Sequence, residues 1–73
     1  MTAAAPAPCD DLVVLAMAGE AMAAEAARAA AQRRFLVAPH GERQRRLTAL
    51  REATDAALKA ELAVTLARRE AGL

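Results

Sequence analysis

The sequence predicts an all-α protein, an antiparallel two-helix hairpin over about residues 11–36 and 40–71 behind a disordered N-terminal tail. Three observations predict it. Two long runs of strong helix formers flank one break, Val37-Ala38-Pro39-His40-Gly41. Apolar positions in both runs recur at three- and four-residue spacing, the period of a helix face. No stretch alternates with period two, so no strand is expected.

Residues 1–9 read as a tail, with Pro6 and Pro8 and no periodicity; residues 10–73 form the single domain. Asp10 or Asp11 suits a helix N-cap and the positive end of the helix dipole. The first helix then carries a heptad of Leu12, Leu15, Gly19, Met22, Ala26, Ala29, Arg33 and Leu36. Pro39 ends it, because the residue before a proline is driven out of helical geometry. Proline is comfortable where a second helix begins, and Glu42 lies in that helix's first turn. Arg68 and Arg69 complement its negative end, and Gly72 fits the residue that closes it in a left-handed conformation.

The second helix has two apolar stripes. One holds Leu47, Leu50, Thr54, Leu58, Leu62, Thr65 and Leu66. The other holds Ala49, Ala53, Ala56, Ala60, Ala63 and Ala67 at strict four-three spacing. A fold point at residues 38–39 sets Leu15 against Leu62, Leu12 against Leu66 and Met22 against Leu58. The leucine stripe is therefore expected inside the hairpin, and the alanine stripe is left for another helix. A lone two-helix hairpin is marginal, and association is the usual remedy.

Composition bounds the function. Alanine supplies 23 of 73 residues, and the chain has nine Arg to one Lys and lacks Ser, Asn, Ile, Tyr and Trp. That usage is the mark of a GC-rich genome, which accounts for the amount of alanine but not for its regular spacing. No apolar run reaches the ~20 residues of a membrane span, and no basic start precedes an apolar core. A cytoplasmic location is expected, in keeping with a single cysteine, Cys9.

No enzymatic chemistry, cofactor or metal is expected. His40, the one histidine, lies in the turn with no Ser to serve as its nucleophile. Cys9 lies in the tail, and Glu52, Asp55 and Glu61 lack the Glu-x-x-His pairing of a bundle metal site. Arginine is concentrated instead. Residues 28–51 hold Arg28, Arg33, Arg34, Arg43, Arg45, Arg46 and Arg51 against one acid, Glu42. Arg33, Arg34, Arg43, Arg45 and Arg46 would cluster at the hairpin tip, either simply solvated or as electrostatic contacts for an acidic protein or for phosphates. Nucleic acid is the weaker of these, for want of an aromatic stacking platform.

The stretch Gln32-Arg33-Arg34-Phe35-Leu36, Pro39, Glu42-Arg43-Gln44, Leu47, Leu50, Ala53 and Ala56-Ala57 resembles the small E-type co-chaperones of type III secretion needle subunits, over roughly residues 32–66. The resemblance implies a cytoplasmic helical hairpin without catalytic activity. It would pair with a larger helical-repeat co-chaperone and help hold the needle subunit unpolymerised before export. Leu47, Leu50, Ala53 and Ala57 match that family best in type. Partner binding is thus expected at Ala49, Ala53, Ala56, Ala60, Ala63, Leu47, Leu50 and Ala57. The alternatives are a homodimer closing a four-helix bundle through the alanine seam, or a small nucleic-acid-binding accessory that uses the arginine tip.

Overall fold

The chain, a computed structural model, is described over residues 8–72. Helix α1 spans Pro8–Leu36 and helix α2 spans Arg43–Ala71, joined by a short 3₁₀ turn over His40–Glu42. The all-α hairpin expected from the sequence is the observed fold. The tail expected over residues 1–9 lies outside the described residues up to position 7. Pro8 and Cys9 belong to α1, so Asp10 and Asp11 stand within its first turn rather than before it. Proline is tolerated there, since the first helical N–H groups have no partner within the helix.

The turn is built from backbone hydrogen bonds. The Val37 N–H donates to the Arg33 carbonyl at 3.3 Å and the Ala38 N–H to that of Phe35 at 3.2 Å, closing α1. Pro39 is extended (φ −59°, ψ 153°), and its carbonyl accepts from the Glu42 N–H at 2.9 Å. Gly72 ends α2 with φ 76°, and its N–H donates back to the carbonyls of Arg68 and Arg69. The glycine expected to close this helix does so, in the conformation that a residue with a Cβ adopts at a cost.

The phase of the two helices differs from the sequence expectation. The buried side chains are Val14, Ala31, Ala57 and Val64. Half-buried neighbours extend them into two complete heptads: Val14, Met17, Ala21, Ala24, Arg28, Ala31 and Phe35 on α1, and Leu50, Ala53, Ala57, Ala60, Val64, Ala67 and Ala71 on α2. Val14 shares a hollow with Ala67 and Ala71, and Ala18 and Ala21 share one with Glu61 and Val64. Val14 thus lies across from Ala67 rather than Ala63, about one helical turn further on. The 3₁₀ turn supplies that shift, because it moves the fold point beyond Pro39.

Leu12, Leu15, Met22, Leu58, Leu62 and Leu66, expected inside the hairpin, are all exposed. On α1 the observed heptad is displaced by two residues from the leucine-bearing one, about 200° around the helix, hence nearly the opposite side. On α2 the cause is spacing. Leu50, Thr54, Leu58, Leu62 and Leu66 follow one another at four residues, and each step overshoots a full turn by about 40°. The row winds about 160° from Leu50 to Leu66, so only its start can remain in a straight seam. Four-three spacing averages 3.5 residues per turn and holds to one side. Alanine on both helices then lets the backbones approach closely.

This phase is testable by overpacking. Ala57→Leu puts a large side chain into the seam and is expected to destabilise by ~1–3 kcal/mol. Ala56→Leu, on the exposed side, is expected to change stability by no more than ~0.5 kcal/mol. Urea unfolding followed by helical circular dichroism compares them. Equal effects would place the seam elsewhere.

Candidate functional site

Some of the side chains displaced from the seam, Leu15, Met22 and Leu58, stand on one face, while Leu12, Leu62 and Leu66 point elsewhere around their helices. Met22 shares a shallow hollow with Ala26, Ala29 and Glu61, and another with Ala18, Thr65 and Arg68. Both helices therefore contribute to this face. Leu15 and Leu36 lie seven residues from Met22 and Ala29, and Leu58 lies seven from Thr65, so they share the same side of their helices. Toward the turn a further hollow of about 420 Å³ is lined by Leu47, Leu50, Arg51, Thr54, Asp55 and Leu58. Met22 is 74% exposed, Leu15 66%, Leu36 64% and Leu58 61%. The polar groups between them are partly quenched. The Thr65 hydroxyl donates to the Glu61 carbonyl at 3.0 Å, and Lys59 pairs with Asp55 at 3.0 Å.

Arg28 stands at a seam position yet carries a charge. Its guanidinium donates to Glu25 at 2.9 and 2.6 Å and to the Gln32 side chain at 2.7 Å. The stem of such a side chain covers neighbouring apolar surface while the head reaches water. The hydrogen bond from Arg28 holds the Glu25 carboxyl below its ordinary pKa, and the same bond raises that of Arg28.

The expected partner-binding residues divide. Ala57 is buried in the seam, and Ala53, Ala60 and Ala63 are half-buried in or beside it. These four already face α1, so they do not form the vacant stripe that was expected. Ala53, Ala57 and Ala60 belong to the heptad the hairpin uses for itself, and Ala63 borders it. Ala49 and Ala56 are exposed, on the side away from Met22. Leu47 and Leu50 are half-buried and line the hollow near the turn. Met22, Leu15 and Leu58 enter the candidate face without having been singled out for it. Their exposure follows from the phase, and the strict four-residue spacing of the α2 leucines signalled it.

The arginines at the tip are largely engaged. Arg45 donates to Glu42 at 2.9 Å and Arg46 to the same oxygen at 3.2 Å. The Arg43 guanidinium lies over the Phe35 ring, 4.8 Å from its centroid, and so ties the two helices across the turn. Arg33 and Arg34 are exposed and form no ion pair among the described residues. Cys9 is the second residue of α1, and His40 and Gly41 are the exposed residues of the 3₁₀ turn. No helix among the described residues is long and apolar enough to cross a membrane.

No family model, curated protein or solved structure matches the chain. The fold itself defines a helical hairpin, and Leu15, Met22, Leu36 and Leu58 give it an unburied Leu–Met face.

Glu42 offers a pH test of the tip. Hydrogen bonds and charge from Arg45, then the charge of Arg46, hold its carboxyl below the ordinary value of 4.5. A depressed carboxylate contributes stability above that value and loses it as the pH falls through its folded-state pKa. Glu42→Gln is expected to lower helicity slightly near neutrality, where the carboxylate's contribution is present, and to match the parent at low pH, so that the acid transition shrinks. An unchanged acid transition would show that this pairing contributes nothing measurable.

Proposed function

We propose that the protein is a non-catalytic helical adaptor that packs its Leu–Met face against helices of another protein. One observation carries the reading: Leu15, Met22, Leu36 and Leu58 stand more than half exposed on a single side of a two-helix rod. Contiguous exposed apolar surface of that kind marks an interaction site rather than ordinary surface. A partner that covers it also supports the hairpin, because binding to the folded form alone stabilises that form.

The narrower reading is a co-chaperone of type III secretion, in which the partner is a helical-repeat co-chaperone of the needle subunit. The resemblance over residues 32–66 supports it. So does the position of Leu47 and Leu50, two of the residues that match that family best, in the hollow beside the turn. Glu42 engages Arg45 and Arg46, which lowers the free charge of the tip and weighs against nucleic acid.

The test is co-expression with the needle subunit and helical-repeat co-chaperone of the same genome. The expected outcome is a co-purifying complex. Met22→Glu with Leu58→Glu should cut its recovery at least tenfold while helicity is retained. Ala56→Glu, on the other side, should leave recovery intact. Loss only with Ala56→Glu would return the interface to the alanine stripe. Absence of any complex would remove the secretion reading.

A further inference from the structure

Charge along the rod is strongly polarised. Residues 28–51, the turn half, carry seven arginines and one glutamate, a net of +6. The remainder carries eight acids (Asp10, Asp11, Glu20, Glu25, Glu52, Asp55, Glu61 and Glu70) against Lys59, Arg68 and Arg69, a net of −5. The two halves are also spatial halves, because residues 28 and 51 fall at nearly the same level of the antiparallel pair. A second copy laid antiparallel would set each +6 turn end beside a −5 open end. A parallel copy would set like charge beside like.

The apolar face is self-complementary in the same orientation. Met22 lies at the middle of α1, and Leu58 lies one residue past the middle of α2. A two-fold axis at their level meets the condition of an isologous contact, in which each copy offers the same patch. It sets Leu15 of one copy over Ala29 of the other, and Arg51 over Thr65, large against small in both cases. Two helices about 43 Å long and about 18 Å across offer roughly 800 Å² per copy, the size of a standard stable interface.

We propose that a second copy of this chain covers the Leu–Met face in an antiparallel dimer, closing a four-helix bundle with turns at opposite ends. This rests on the reading of that face as an association surface. In that reading the dimer is the resting form, and the other partner must displace one copy. Salt weakens the orientation-setting charges, whereas the apolar contact persists.

The experiment measures mass and orientation on the full chain. Light scattering should give twice 7.6 kDa. Met22→Glu with Leu58→Glu should return the mass to a helical monomer. Arg33→Glu with Arg34→Glu, both exposed and outside the apolar contact, lowers the turn half to +2 and should raise the dissociation constant at least tenfold at low salt. A spin label on His40→Cys, with Cys9→Ala, reads orientation. Turn-to-turn distances of about 40 Å or more are expected, from helices 29 residues long. A distance near 20 Å, the width of a bundle, means a parallel dimer and overturns the proposal. A helical monomer that still binds its co-expressed partner through Met22 and Leu58 overturns it too, and leaves the adaptor reading standing. A monomer that binds no partner removes both.

Discussion

The close approach of two backbones along an alanine-lined seam is the constraint on which this structure rests. Ala21, Ala24 and Ala31 on one helix and Ala53, Ala57, Ala60 and Ala67 on the other make most of the seam small, with Leu50 and Phe35 near the turn. Leu15, Met22 and Leu58 stand outside it. The narrow seam and the exposed Leu–Met face are therefore one fact with two sides. Burial of a methyl group contributes only ~0.8 kcal/mol, so a seam of alanines holds weakly for its length. Its advantage is geometric: small residues fix a short interhelical distance and one straight register.

Charge organises the ends of the rod rather than its middle. At the turn, Glu42 gathers two arginines while Arg43 covers Phe35, so the tip is tied locally and across the connection. Arg28 shows how an arginine can occupy a seam position without a buried charge, its head drawn out between Glu25 and Gln32. Exposed pairs of this kind contribute little individually. Their collective effect is directional, since the excess of arginine lies at one end of a rod whose other end is acidic.

The helices, the break at Pro39 and the closing Gly72 were legible in the sequence because each has a local cause. Proline lacks an N–H, glycine tolerates positive φ, and helix formers propagate between them. The seam was not legible in the same way. Helix α1 carries two parallel heptads two residues apart, one with Leu12, Leu15 and Met22, the other with Val14, Met17 and Ala21. Choosing between them by side-chain size favours the first. What decides is the partner helix, where the four-three row Leu50, Ala53, Ala57, Ala60, Val64, Ala67 and Ala71 follows a straight seam and the four-residue leucine row winds away from it. Spacing in α2 thus held information that bulk in α1 obscured. The candidate face inherited the error, because it is whatever the seam leaves out.

That inheritance also separates two routes by which residues can affect association. Ala57 and Val64 act on the population of folded hairpin, since no binding surface exists until the seam has formed. Met22 and Leu58 act on the surface itself and contribute little to the isolated hairpin. A partner on the Leu–Met face adds burial on a side the seam does not use, so it displaces nothing and its binding free energy adds to that of folding. A partner on the alanine row would have to compete with α1 for Ala53, Ala60 and Ala63. The first arrangement stabilises a marginal hairpin and the second dismantles it, and this asymmetry assigns association to the face rather than the seam.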